Sequence, residues 1–171
     1  SANWSSNGDR LATASHDKTA KIWDLNTGEN LFTLEHPDTV WSATWSPDDT
    51  RLLTIGNRGV ANIWDTATGK ELFSLDGHDP QKGVWWGIWS QSGDQIATAS
   101  EDGSAIVWDA RTGKVIFTLS GHTMPVQTII WSPSEDRLAT ASLEGTAKIW
   151  DAATGEEILT LDHEGRVESA R

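Results

Sequence analysis

Residues 126–161 read VQTIIWSPSEDRLATASLEGTAKIWDAATGEEILTL. An apolar run from Val126 to Trp131 stops at Ser132-Pro133-Ser134-Glu135-Asp136, a cluster of turn-forming residues. Leu138-Ala139-Thr140-Ala141-Ser142 then alternates, and Leu143-Glu144-Gly145-Thr146 turns the chain. Ala147-Lys148-Ile149-Trp150 follows. Asp151-Ala152-Ala153-Thr154-Gly155 turns it again, before a last apolar run, Ile158-Leu159-Thr160-Leu161. Short runs with a period near two, separated by turn residues, predict four β-strands. No segment sustains apolar spacings of three and four, so no helix is predicted.

The same unit recurs upstream. Trp23, Trp64, Trp108 and Trp150 are each followed by Asp, and Trp4, Trp45, Trp89 and Trp131 are each followed by Ser. Eight of the 11 Trp residues therefore belong to one repeated pattern. A period of this length marks an array of supersecondary units, each covering its neighbour's apolar face. The expected class is all-β.

Composition removes several functions. The chain of 171 residues carries 25 acidic and 13 basic side chains, a net charge of −12, and no Cys. Such a field repels phosphate backbones, so no nucleic-acid partner is expected. Disulfides and thiolate metal sites are ruled out, and the absence of Cys fits a reducing compartment such as the cytoplasm. No apolar run approaches the roughly 18 residues of a spanning helix, and no secretory signal is visible, so no membrane partner is expected. The chain opens at Ser1 and its only Met is Met124, which reads as a segment cut from something longer.

The Trp-Asp pairs, the upstream His residues, the Trp-Ser-Pro strand ends and the Thr-Ala-Ser strands resemble the WD repeat, in four copies that span essentially the whole chain. The resemblance implies a β-propeller, with four-stranded blades (strands a to d from the channel outward) and a role in protein interaction without catalysis. On it, residues 1–171 form one half-propeller: blade 1 spans about 3–35, blade 2 about 38–76, blade 3 about 82–120 and blade 4 about 124–162. Blades of this kind resemble those of larger rings, so two chains are expected to close an eight-bladed, C2-symmetric homodimer. Strand a of blade 1 is cut short. The tail Val167-Glu168-Ser169-Ala170-Arg171 matches Val40-Trp41-Ser42-Ala43 and is expected to pair with Leu11-Ala12-Thr13-Ala14-Ser15 of the other chain.

His, Ser and Asp recur together, but the family resemblance implies a buried hydrogen-bond chain from His through Ser or Thr to Trp, with an Asp in the b–c turn, not a catalytic triad. Blade 3 has the set His78, Ser100, Asp102 and Trp108; blade 1 has Ser15, Asp17 and Trp23, with His163 of a neighbouring chain to complete it. Blade 2 has Gly56 and Arg58, and blade 4 has Glu144, at the positions of Ser and Asp, so these two are expected to lack the full network. His36, His78, His122 and His163 share one repeat position, a blade apart, too far to share an ion held at about 2.0–2.1 Å. No metal, cofactor or catalytic residue is expected, and phosphate loops and nucleophile elbows are not present.

Trp41, Trp85 and Trp86 fall outside both Trp series. They read either as packing between blades or as an aromatic patch at the channel mouth. The d–a loop of the third repeat is two residues longer than its equivalents: His78 to Trp89 is eleven residues, against nine from His36 to Trp45. In this family the d–a and b–c loops form the upper face. The expected site for a protein or peptide ligand is therefore Trp41, Trp85 and Trp86 with Lys82, Arg58, His16, Glu101, Leu143, Met124 and Arg166. The alternative is a module of a larger multidomain WD-repeat regulator with no activity of its own.

Overall fold

Each repeat folds into an antiparallel sheet whose strands lie in chain order. Blade 1 contains β1 (Ala2–Trp4), β2 (Arg10–Ala14), β3 (Thr19–Asp24) and β4 (Asn30–Glu35). Blade 2 contains β5 (Val40–Trp45), β6 (Arg51–Gly56), β7 (Ala61–Asp65) and β8 (Glu71–Ser74). Blade 3 contains β9 (Val84–Trp89), β10 (Gln95–Ser100), β11 (Ala105–Asp109) and β12 (Val115–Leu119). Blade 4 contains β13 (Val126–Trp131), β14 (Arg137–Ser142), β15 (Thr146–Asp151) and β16 (Glu157–Asp162). The computed structural model describes residues 1–167. Among these residues no helix is long and apolar enough to cross a membrane.

The Trp-Asp pairs close the hairpins between the third and fourth strands. Asp24 Oδ1 accepts from the backbone N–H groups of Asn26 and Thr27 at 2.8 and 2.9 Å, and Asp65, Asp109 and Asp151 repeat the arrangement. The glycine that ends each turn adopts positive φ, as at Gly69 (67°) and Gly113 (69°). Absence of a side chain also admits the neighbouring blade: a Cβ on Gly69 would lie 2.5 Å from Phe32, and one on Gly113 would lie 2.9 Å from Phe73.

The core lies between blades, not within them. Ala12, Ala20, Ile22 and Leu34 of blade 1 meet Val40, Ala43, Leu52 and Trp64 of blade 2. Leu53, Ile55, Ile63 and Leu75 meet Val84, Trp89, Ile96, Ile106 and Trp108 across the next boundary. Val107 and Leu119 meet Val126, Ile129, Leu138 and Trp150 across the third. Blades 2 and 3 are thus covered on both faces, while blades 1 and 4 are covered on one.

Blade 1 has an innermost strand of its own. Ala2 faces Thr13, Asn3 faces Ala12 and Trp4 faces Leu11, while Ser1 O accepts from Ala14 N at 3.0 Å. This corrects the expectation that another chain's tail pairs with Leu11-Ala12-Thr13-Ala14-Ser15. The backbone groups of residues 11–14 are already engaged, and a strand edge can be paired only once. The tail residues Glu168, Ser169, Ala170 and Arg171 lie outside the described residues. Val167 N donates to Ser142 O at 3.3 Å, as Val40 N donates to Ser15 O at 3.1 Å.

Candidate functional site

In blade 3 the polar chain runs through Thr98. Trp108 Nε1–H donates to Thr98 Oγ1 at 2.8 Å, Thr98 Oγ1 lies 2.8 Å from His78 Nε2, and His78 Nδ1 lies 2.9 Å from Asp102 Oδ2. Every group is satisfied when Thr98 donates to Nε2 and Nδ1–H donates to the carboxylate. Burial of Asp102 works to raise its pKa. Hydrogen bonds from His78, Ser104 and the backbone of Asp79 outweigh it and hold the carboxyl well below the usual range.

Ser100, expected in this chain, stands at the end of β10 instead. It donates to Gly83 O at 3.0 Å and accepts from Asp102 N at 3.2 Å. Ser15 likewise accepts from Asp17 N at 3.2 Å, and Trp23 Nε1 donates to Thr13 at 2.9 Å. Of the two hydroxyl types the resemblance allows, the link is therefore the Thr and not the Ser named in blades 1 and 3, and a signal existed: Thr13, Thr54, Thr98 and Thr140 each precede a Trp-Asp tryptophan by ten residues.

Blade 4 keeps the network that Glu144 was expected to break. His122 Nδ1 lies 2.5 Å from Glu144 Oε1 and Nε2 lies 2.7 Å from Thr140, which accepts from Trp150 at 2.9 Å. The longer Glu arm spans the same gap. Burial opposes ionisation of Glu144, but bonds from Thr123, Thr146 and His122 pull its pKa down to about 2. Blade 2 does lack the acid: His36 Nδ1 donates to Leu34 O at 3.0 Å, and Nε2 faces Thr54 at 2.8 Å. Burial lowers the pKa of His36, favouring the neutral ring.

These hydroxyl–imidazole–carboxylate rows have the composition of a hydrolytic triad without its access. Thr98 and Thr140 are fully buried and accept from a tryptophan, so neither hydroxyl can reach a substrate.

The extra tryptophans sit where the inner strands begin. Trp41 is the extra residue of a β-bulge between the pairs Val40–Gly56 and Ser42–Ile55. Trp85 lies at the corresponding bulge between Val84–Ser100 and Trp86–Ala99, and Gln127 occupies the same place in blade 4. The Trp41 and Trp85 rings flank Gly83, whose added Cβ would fall 2.4 Å from one and 3.0 Å from the other. With exposed Trp86, they line a cleft of about 500 Å³ that Asn3, Thr44, Ile55 and Ile88 complete.

The structure sorts the other loop residues into groups. Gly59 N donates to Lys82 O at 2.6 Å, and Lys82 Nζ lies 3.2 Å from Glu101, so Arg58, Lys82 and Glu101 share one rim. Arg58 itself pairs with Asp38 at 3.0 Å, a partner not anticipated from the sequence. Ser142 Oγ donates to Met124 O at 3.1 Å, and Gly165 O lies beside Gly145, which gathers Met124, Leu143 and Arg166 at blade 4. His16 is exposed on the β2–β3 turn of blade 1, outside both groups.

A family model for the WD domain, G-beta repeat, matches residues 1–24, 28–65, 69–109 and 113–151. No curated protein matches the sequence. The matched segments are offset from the blades by one strand, so His36, Thr54 and Trp64 all fall within 28–65, and His163 falls beyond the fourth match.

Proposed function

The chain belongs to the WD-repeat family, and on that premise we propose that it is a non-catalytic scaffold that holds a protein or peptide on its loop face, its stack of blades extended by a second copy to an eight-bladed ring. The cleft between Trp41, Trp85 and Trp86 carries the reading. Three large, rigid side chains face one opening at low cost in side-chain entropy. Two of them are aimed by bulges of the sheet rather than by free loops, so little order is lost on docking. Lys82 and Glu101, which meet each other beside Gly83 where the two rings flank it, supply both charges at the edge of the apolar floor.

The test selects peptides from a random displayed library on the wild-type chain and measures them again on Trp86→Ser combined with Trp85→Gln. These substitutions install what blades 2 and 4 already carry at the same positions, Ser42 and Gln127. Truncating an interface hot spot costs about 2 kcal/mol or more, so affinity is expected to fall roughly thirtyfold or more while the circular dichroism spectrum is unchanged. Peptides that bind both proteins equally, or a library that yields no binder, would overturn the reading.

A further inference from the structure

The boundaries between blades inside the chain follow one plan, with Gln95 in place of the Arg at the third, and they show what each exposed position on the two outer faces is shaped to meet. Arg10 of blade 1 stacks over Trp45 of blade 2 at 4.6 Å, and Arg51 of blade 2 stacks over Trp89 of blade 3 at 4.8 Å. Each guanidinium also donates to two carbonyls of the next blade, Arg51 to Ala110 O at 2.6 Å and Gly93 O at 2.7 Å. The same position in blade 4 is Arg137, exposed; the same tryptophan in blade 1 is Trp4, 65% exposed. Phe32, Phe73 and Phe117 each fill the space over a turn glycine one blade along, at Gly69, Gly113 and Gly155. Their equivalent in blade 4 is exposed Leu159, and the equivalent turn glycine in blade 1, Gly28, has nothing within 4 Å of an added Cβ. Leu34, Leu75 and Leu119 are each 1% exposed, while Leu161 in the same place is 44% exposed.

The polar network divides along the same line. His36, His78 and His122 each leave the last strand of one blade and reach the Thr of the next at 2.7–2.8 Å. His163 starts the same way, with its N–H donating to Gly145 O at 2.8 Å as that of His36 does to Lys18 O at 2.9 Å. Its ring is nevertheless exposed, and among the described residues Thr13 has Trp23 but no histidine.

The geometry points to one occupant for both faces. The outer face of blade 4 and the outer face of blade 1 are the two halves of a further blade boundary, and a second copy of this chain joins them head to tail. His163 of one copy then reaches Thr13 of the partner subunit, Arg137 stacks on Trp4 of the partner subunit, and Leu159 covers Gly28 of the partner subunit. Applied twice, the contact closes eight blades around a two-fold axis with no outer face left over. This rests on the two-copy ring proposed above and names its contacts and polarity. It also replaces tail pairing along Leu11-Ala12-Thr13-Ala14-Ser15, which the chain's own β1 forbids.

The experiment measures mass by light scattering and sedimentation for the wild-type chain, for Trp4→Glu, for Leu159→Glu, and for an equimolar mixture of the two variants. Both altered side chains are exposed in the single chain, so near-ultraviolet circular dichroism of the buried tryptophans is expected to stay native. The wild type is expected at twice the chain mass, each variant alone at the chain mass, and the mixture at twice the chain mass again, since it retains one intact boundary. His163→Gln is expected to weaken the wild-type dimer at least tenfold, and Arg111→Gln, on an exposed turn of blade 3, to leave it unchanged. A dimeric wild type with equally dimeric variants would overturn the named faces but not the ring. Variants that are monomeric and do not complement each other would overturn the head-to-tail polarity. A monomeric wild type would overturn the two-copy ring itself and this inference with it.

Discussion

Residues 10–24 of blade 1 and 137–151 of blade 4 are the same sequence except at three positions, His16-Asp17-Lys18 against Leu143-Glu144-Gly145. They fold into the same pair of strands with the same register, Leu11 opposite Trp23 and Leu138 opposite Trp150. Yet they bury opposite faces. Blade 1 hides Ala12, Ala20 and Ile22 against blade 2; blade 4 hides Leu138, Thr140 and Trp150 against blade 3. Alternation along a strand supplies two usable faces, and the position of the neighbour decides which becomes core. One sequence thus displays both sides of a blade boundary.

The largest difference is expected at the tryptophan. Trp150 is buried, whereas Trp23 is only partly buried. In a Trp4→Glu background, expected to hold the chain single, Trp150→Ala is expected to cost about 3–5 kcal/mol in urea unfolding and Trp23→Ala about 1–2 kcal/mol. Equal losses would mean that the two faces do not differ in packing.

Next comes acid. A carboxyl whose folded pKa lies below its unfolded value stabilises the fold above the unfolded value and loses that contribution as pH falls through the folded one. For Glu144 the window runs from about 4.5 down to about 2. The stability gap between wild type and Glu144→Gln is therefore expected to close across that range. Asp17 is also lowered, mainly by the Thr19 hydroxyl, but among the described residues of the single chain it lies in solvent with no histidine beside it. Its gap in Asp17→Asn is expected to be smaller and to close only below about 3.8. Urea midpoints at neutral pH and at successively lower pH read both.

The smallest effect lies at the turn residue. Lys18 adopts φ 72° where blade 4 has Gly145 at φ 93°. Lys18→Gly is expected to change stability by less than about 1 kcal/mol, in the stabilising direction, since a side chain at positive φ is strained. Gly145→Lys is expected to cost about 1–2 kcal/mol by thermal melting, because its Cβ would also lie 3.0 Å from Gly165 O.

Much of the architecture was legible in the chain. The Trp-Asp and Trp-Ser series set the repeat, and the Asp-x-x-Thr-Gly turns are local hydrogen-bond motifs that need no distant partner. The link through Thr was harder to read. Thr98 and Ser100 are both small hydroxyl residues two apart on β10, and only the register and the path of the chain leaving the preceding blade separate the interior position from the one at the turn. Glu144 was misjudged for a similar reason: residue type suggested a loss, while the distance to His122 left room for one more methylene. The pairing of Arg58 with Asp38 joins two loops twenty residues apart, and no local pattern announces it.

The amino-acid order alone determined the period, the strand and turn alternation and the chemistry repeated in each unit, because these depend on neighbours a few residues away. Which face of each blade is core, which hydroxyl joins the tryptophan to the histidine, and that Ser1 to Trp4 already fill the inner edge of blade 1 were decided by tertiary structure. The physical reason is that identical strands carry two faces and identical termini two partners; burial and hydrogen bonding choose between them only once the blades are stacked.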